Sequence, residues 1–114
     1  MKVSLPVNSF AQIFQQIRLK VGIVRKCRRV EKSDKLLISQ IDLGEGRLRS
    51  IVSGVAEFYT PEQMVGKRVV VVANLKPVKL RGELSEGMVL ASDDGTTITV
   101  VEAPQAAAPG TVVR

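Results

Sequence analysis

The chain lacks the side chains that most often carry catalysis or bind metals. Its 114 residues include no histidine, no tryptophan and a single cysteine, Cys27. Without histidine the commonest general base and metal ligand is missing, and the 11 acidic residues are too scattered to indicate a paired acid and base. We therefore expect a protein that is not an enzyme and that uses no cofactor or metal.

Long apolar segments are also missing. No window approaches the roughly 18 apolar residues of a membrane span, and the N-terminal MKVSLPVNSF lacks the apolar core of a signal peptide. A single cysteine cannot form an intrachain disulfide, which is typical of a reducing compartment. These absences predict a cytoplasmic protein with no membrane partner, and the length with 45% hydrophobic residues fits one domain.

The charges that are present are unevenly distributed. Residues 1–81 hold 16 of the 17 Lys and Arg residues and six acids, whereas residues 82–113 hold five acids and no Lys or Arg. Such a separation indicates an electropositive face for a polyanion, with nucleic acid favoured over membrane. We expect the C-terminal part to have a different role.

Local patterns predict a short N-terminal helix followed by strands. Ser9 and Gln12 match a capping box, and the apolar residues that follow recur at helical spacing, which indicates core packing: Phe10, Ile13, Phe14 and Ile17. An extended pattern begins at Leu19, and Gly22 inside it indicates a bulge or sharp bend.

Further strands are predicted at residues 35–42, 48–53, 68–73, 87–92 and 97–101. Four consecutive valines at 69–72 are typical of a strand buried on both faces. Thr60, Pro61 and Gln63 predict a short capped helix that ends at Gly66.

Three strands, a helix and two strands match an all-β OB-fold, a five-stranded Greek-key barrel. An SH3-like barrel or a small sandwich also accommodates short strands, and the helix position favours the OB-fold. We expect one domain, with a helical extension at 1–17, the barrel at 18–92 and a C-terminal β extension at 93–114. The uncharged stretch 103–113 is open to two interpretations, a flexible linker or a subunit interface.

A basic segment between the fourth and fifth strands is the strongest candidate binding site. It contains Lys76, Lys79 and Arg81, with Pro77 and Gly82 restricting or permitting backbone turns. Lysine supplies a point charge for phosphate, and arginine a planar fork that binds phosphate bidentately. A solvated loop is the alternative, but OB-folds bind ligands on a strand face bordered by such loops.

Other candidates flank this segment. Asn74, Ser85 and Met88 are suited to ribose or base contacts, although turn chemistry for Asn74 and Ser85 and core packing for Met88 are the more usual roles of such residues. A second basic group follows the first strand and comprises Arg25, Lys26, Arg28, Arg29, Lys32 and Lys35, while Arg47 and Arg49 share one face of the third strand. Cys27, among these cations, is either a packing residue or a thiol of lowered pKa.

The segment 51–91, IVSGVAEFYTPEQMVGKRVVVVANLKPVKLRGELSEGMVLA, resembles the tRNA-binding domain family, which occurs as free-standing tRNA-binding proteins and as part of methionyl-tRNA synthetases. Asp34-Lys35-Leu36 and Pro109-Gly110 resemble further family motifs. The chain departs from the family at Arg18, where an acid is usual, and at residues 30–33, where His-Pro is absent.

The resemblance implies an OB barrel that dimerises through its N- and C-terminal extensions and binds the elbow or outer corner of tRNA without catalysis. It also implies that the protein assists an aminoacyl-tRNA synthetase, and methionyl-tRNA synthetase before others. The binding residues it implies are Asn74, Lys76, Lys79, Arg81, Ser85 and Met88, with Arg47, Arg49 and Lys35 as weaker candidates. Sparse aromatics favour shape and phosphate recognition over single-strand stacking. The alternative is a dimeric protein-interaction or export-chaperone-like module of the same fold.

Overall fold

The computed structural model describes Gln12 and residues 14–114, and these residues form an all-β fold, as the sequence predicts. The elements in chain order are β1 (Leu19–Arg29), β2 (Leu37–Asp42), β3 (Leu48–Ser53), α1 (Pro61–Met64), β4 (Arg68–Val72), β5 (Val78–Leu80), β6 (Glu83–Ser85), β7 (Met88–Val89), β8 (Ala91–Asp93), β9 (Ile98–Val100) and β10 (Val112–Val113).

Five antiparallel strands form a nearly closed barrel in the order β3-β2-β1-β4-β7. The barrel closes where the chain after β6 meets β3. There the Glu86 N–H donates to the Ser50 carbonyl at 2.7 Å, and the Val52 N–H donates to the Ser85 hydroxyl at 3.0 Å. This strand order, with a helix between the third and fourth strands, confirms the predicted barrel.

The barrel interior holds the main core. Val69 and Val71 of β4 point into it and are fully buried, while Val70 points outward and packs with Val21 and Ala103. The valine run is therefore buried on both faces, as predicted, because the C-terminal segment covers the outer face.

Helix α1 adds a fully buried side chain, Met64, to the core. Its predicted capping box is present: the Gln63 N–H donates to the Thr60 hydroxyl at 3.2 Å, and the Thr60 N–H donates to the Gln63 side-chain oxygen at 2.8 Å. The two reciprocal bonds satisfy backbone donors at the helix start, which is why so short a helix can be specified locally.

Gly22 has a role that differs from the prediction. The bulge in β1 lies between Val24 and Lys26, three residues further on, and Gly22 pairs regularly with Val69. A Cβ on Gly22 would lie 2.5 Å from a methyl carbon of Ile41. Close packing across the barrel, and not a bend, requires glycine at this position.

Two predicted strand assignments are incomplete. The segment predicted as a basic loop contains the β5–β6 hairpin, and the predicted strand 87–92 is divided between β7, which pairs with β4, and β8, which pairs with β9. The division occurs at Leu90, whose N–H donates to Val70 and whose carbonyl accepts from Val101. From this residue the chain leaves the barrel.

The N-terminal segment does not fill the core as predicted. Phe14 and Ile17 are largely exposed on this chain, and the backbone is helical at Gln12 and at residues 14–16. The predicted cap Ser9 and the apolar residues Phe10 and Ile13 lie outside the described residues. Nowhere in the described part is there a helix of sufficient length and apolar character to cross a bilayer.

The C-terminal segment folds back onto the barrel, so it is not a free linker. β10 pairs with the start of β1, Leu19 opposite Val113, and the Gly110 N–H donates to the Val21 carbonyl at 2.7 Å. Two glycines pack together beneath it: a Cβ on Gly44 would lie 2.8 Å from the Pro109 oxygen, and a Cβ on Gly110 would lie 2.7 Å from the Leu43 oxygen.

Gly110→Ala is therefore expected to lower the free energy of unfolding by about 2 kcal/mol or more, because it adds a backbone clash to the cost of a side chain at positive φ. Gly46→Ala is the matched control, since Gly46 also has positive φ but nothing lies within 4 Å of its added Cβ. It should cost only about 1 kcal/mol. Urea unfolding measures both, and equal losses would show that the glycine contact does not stabilise the tail.

Candidate nucleic-acid interface

The β5–β6 hairpin carries the strongest sequence-predicted site. Its strands pair in register, Val78 with Ser85 and Leu80 with Glu83, and Arg81 and Gly82 form the two-residue turn. Both turn residues have positive φ, 51° and 82°. Two-residue hairpin turns of this type favour Asn-Gly because both positions require positive φ, so arginine at the first position is unusual.

Arg49 holds the base of the hairpin. Its guanidinium donates to the Ala73 carbonyl at 2.6 Å and to the Glu86 carbonyl at 3.1 Å, the residues at which the connection leaves and rejoins the barrel. It also donates two bonds to Glu45, at 2.8 and 2.7 Å, and its side chain is only 17% exposed. Arg49 therefore positions the hairpin and has little surface to offer a ligand.

Glu86 adds a second fixed point at the base. Its carboxylate accepts from Arg47 at 2.8 Å and from the Ser50 N–H at 3.1 Å. The Arg47 hydrogen bond, followed by the Ser50 bond, holds the pKa of Glu86 below its ordinary value, so the carboxylate is charged at neutral pH. Arg47, another predicted site residue, is exposed but ion-paired.

The hairpin is also attached near its tip. One terminal nitrogen of Arg28, in β1, donates to both carboxylate oxygens of Glu83, at 3.1 and 3.0 Å. An open cleft of about 410 Å³ separates the tip from the end of β1, and its walls are formed by Arg28, Val30, Glu31, Arg81, Gly82 and Glu83. The hairpin thus lies across the barrel, fixed at base and tip.

Seven exposed cations on the β4–β7 connection and on or after the C-terminal half of β1 have neither a carboxylate partner nor a side-chain hydrogen bond within the described residues. We call them the cationic surface: Lys26, Arg29, Lys32, Lys35, Lys76, Lys79 and Arg81. Three lie on the β4–β7 connection and four on or just after the C-terminal half of β1. Their charge is uncompensated, whereas Arg25, Arg28, Arg47, Arg49 and Lys67 form ion pairs.

The other predicted site residues have different surroundings. Met88 is exposed on β7. The Asn74 side chain accepts from the Arg18 N–H at 2.9 Å and donates to the Gln16 carbonyl. Its amide oxygen and amide nitrogen therefore both connect the end of β4 to the N-terminal segment. Ser85 is 2% exposed, and its hydroxyl accepts from Val52 and donates to the Gly87 carbonyl at 2.9 Å. In this conformation Ser85 closes the barrel and presents no exposed hydroxyl.

Backbone strain coincides with the cationic surface. In the described part of the chain, Lys32 and Arg81 are the two residues other than glycine with positive φ, at 62° and 51°. A side chain in the left-handed region costs free energy, and such residues cluster at functional sites. Both strained positions carry an unpaired cation in the loops that flank the cleft.

Cys27 is a packing residue and not a reactive thiol. It is half-buried against the core, and its sulfur lies 3.5 Å from the Ser39 hydroxyl. Burial raises the pKa of the Cys27 thiol, the Ser39 hydrogen bond opposes this, and the charge of Glu62 adds to it. The described residues contain no group of three or more His, Cys, Asp or Glu side chains that could hold a metal ion.

Comparison with known proteins shows the family of this chain. The family model described as "Putative tRNA binding domain" matches residues 19–112. The chain belongs to this tRNA-binding domain family. It is 52% identical over 101 residues to the methionine–tRNA ligase of Listeria monocytogenes, covering 89% of this chain but 15% of that protein. The chain thus corresponds to a small part of the curated relatives it matches.

Solved structures share the fold. The MetRS related protein from Pyrococcus horikoshii superposes with a TM-score of 0.86 at 29% identity, with both chains covered completely. The chaperone CsaA from Bacillus anthracis superposes with a TM-score of 0.82 at 22% identity, covering 91% of this chain and 96% of that one. The second similarity shows a common fold alone.

The strain at the hairpin turn gives a stability prediction. Arg81→Asn should raise the free energy of unfolding by about 0.5–1 kcal/mol, because asparagine tolerates positive φ better than arginine. Lys79→Asn removes the same charge from a regular strand position and should give no increase. Denaturant unfolding at one ionic strength compares the two, and equal effects would show that charge, and not backbone strain, is responsible.

Proposed function

We propose that this chain binds tRNA without catalysing a reaction, and that it recognises the folded elbow or outer corner through the cationic surface. The observation that carries the proposal is the set of seven unpaired cations beside a hairpin fixed at both ends. Phosphates of a folded RNA suit such an array because the hairpin fixes the backbone positions from which lysine and arginine side chains extend. Family membership supports tRNA as the polyanion.

Shape and phosphate recognition fits the aromatic content better than stacking. Proteins that bind single strands by this barrel rely on exposed aromatic platforms. Here the Tyr59 hydroxyl accepts from the Val100 N–H at 3.0 Å, and its ring lies 5.5 Å from the Lys67 ammonium, so the ring is held against the barrel. Folded RNA, read by its backbone and its minor-groove surface, is the better match.

We assign the predicted site residues to two roles. The direct contacts are Lys76, Lys79, Arg81, Lys35 and Met88, with Arg47 at the hairpin base. Asn74, Ser85 and Arg49 instead hold that surface in place through the bonds described above. The role we propose in the cell is cytoplasmic assistance to an aminoacyl-tRNA synthetase, most directly methionyl-tRNA synthetase, by raising the local concentration of tRNA.

Lys79→Gln is expected to weaken tRNA binding about three- to tenfold at 100 mM salt and to reduce the slope of log K against log salt by about one, because it removes one phosphate contact. Lys20→Gln is the control. Lys20 lies on the opposite half of β1, nine residues before Arg29 and up to about 30 Å from it along an extended strand, and it has no ion-pair partner among the described residues. Fluorescence anisotropy with labelled tRNA measures both.

An equal loss in both variants would contradict a localised site. Competition in the same assay tests shape recognition: an unstructured RNA of equal length should compete poorly, and equal competition would remove the elbow proposal. An unfolded polypeptide that displaces tRNA, with weak and salt-insensitive tRNA binding, would favour the alternative function, a protein-interaction or chaperone-like module.

We further propose a homodimer that forms through the two ends of the chain. Phe14 and Ile17 meet β10 at an open, mainly apolar pocket of about 540 Å³, and Val112 is 58% exposed there. Exposed apolar side chains contributed by both termini are typical of a subunit interface. This also explains why an uncharged tail ends in a strand.

Val112→Glu should convert the dimer to a monomer, because a carboxylate would be buried without a partner in the interface. Val65→Glu is the control, since Val65 is similarly exposed near α1 and away from both termini. Sedimentation equilibrium gives the mass, and circular dichroism checks that both variants fold. A Val112→Glu dimer would place the interface elsewhere, and a wild-type monomer would remove the proposal.

A further inference from the structure

The hairpin that carries the cations also carries exposed aliphatic side chains. Five large apolar residues between positions 75 and 88 are each 40–52% exposed: Leu75, Val78, Leu80, Leu84 and Met88. From the sequence this segment is predicted to be a charged loop, and among these five residues only Met88 is a predicted binding residue. Single exposed aliphatics are common, but a group in one short segment marks a contact surface.

Strand register shows how this group is arranged. Residues opposite each other in an antiparallel pair project to the same face. Ser85 and Glu83 turn toward the barrel, where they bond Val52 and Arg28, so Lys79 and its partner Leu84 project away from it. Both Lys79 and Leu84 are exposed, so the outer face of the hairpin presents an ammonium group beside an isobutyl group.

Exposed aliphatic residues also adjoin cations in sequence at two other places on the β4–β7 connection. Leu75 precedes Lys76, and Leu80 precedes Arg81, and none of the three cations has a partner among the described residues. A purely apolar partner would bury these charges without compensation, which is strongly unfavourable. The occupant must therefore offer anionic groups and apolar surface a few ångströms apart.

Folded RNA has this composition at its surface, since phosphates alternate with ribose carbons and, at a corner, with the unstacked face of a base pair. We propose that Leu84, on the outer face of the hairpin, contacts ribose or an exposed base-pair face of tRNA while Lys79 beside it binds the adjacent phosphate, and that Lys76 and Arg81 bind further phosphates. This inference rests on the proposed function and adds an apolar contact to it.

The salt dependence of binding separates the two kinds of contact. Leu84→Thr keeps a residue suited to a strand but removes apolar surface, and it should weaken tRNA binding about tenfold at every salt concentration without changing the slope of log K against log salt. Val78→Thr is a control within the hairpin, because Val78 is opposite Ser85 on the face that turns toward the barrel, and it should bind tRNA like wild type. Val101→Thr is a control outside the hairpin, because Val101 is also an exposed valine but lies after β9, and it should bind like wild type.

Anisotropy titrations from 50 to 200 mM salt give both the affinity and the slope, and circular dichroism verifies folding. This inference alone is overturned if wild type shows normal salt-dependent binding and Leu84→Thr binds tRNA as tightly as wild type. It is also overturned if Val78→Thr weakens binding as much as Leu84→Thr does. A reduced slope in Leu84→Thr would overturn it too, because the hairpin would then have moved its cations. Absence of wild-type tRNA binding would overturn both the inference and the proposed function. If Leu84→Thr keeps wild-type tRNA affinity but no longer binds an unfolded polypeptide that wild type binds, the outer face of the hairpin contacts a protein partner instead.

Discussion

The Arg49 guanidinium is the interaction on which the geometry of the candidate site depends. It bonds the carbonyls of Ala73 and Glu86, which lie at the two ends of the β4–β7 connection, and Glu45 neutralises it. Because the guanidinium is largely buried, these charge-assisted bonds form in a medium of low polarity and are stronger than surface ion pairs. The hairpin is thereby attached to the barrel, and the backbone positions of its cations are defined.

Two residues of the cationic surface have backbone conformations that lower the stability of the fold. Arg81 and Lys32 occupy left-handed backbone positions at which asparagine or glycine would fold with less strain. The surrounding structure enforces those conformations: Gly82 completes the hairpin turn, and the Arg28–Glu83 ion pair holds the tip. Strain confined to unpaired cations fits a surface selected for binding, because a purely structural loop has no need of a positive charge there.

Much of the fold follows from local patterns in the sequence. Neighbouring residues and periodicity determine the burial of the Val69–Val72 run, the Thr60–Gln63 capping box and the order of the elements along the chain. These features could therefore be predicted. The β5–β6 hairpin could not, because its strands have three residues each and its Arg-Gly turn lacks the Asn-Gly signal. The division of the predicted strand 87–92 depends on the backbone bonds of Leu90, which composition does not encode.

The site shows the same limit. The three hairpin cations were found because charge is visible residue by residue. The structural roles of Arg49 and Ser85 were missed because their bonds join residues 24 to 37 positions apart, a separation that spacing rules do not cover. The exposed aliphatics of the hairpin were missed for a related reason: the sequence predicts a loop here, and only the tertiary position of the hairpin leaves Leu80 and Leu84 uncovered.

The acidic C-terminal third acquires a physical role from these contacts. Glu83 and Glu86 neutralise Arg28 and Arg47 at the two ends of the hairpin, and Glu102 pairs with Lys67 beside α1. Asp94 is committed to its own turn, where the N–H groups of Thr97 and Thr96 lower its pKa. None of these carboxylates pairs with the cationic surface. The acids therefore cancel charge where the barrel needs fixed contacts, and the remaining positive charge is concentrated where a polyanion can bind.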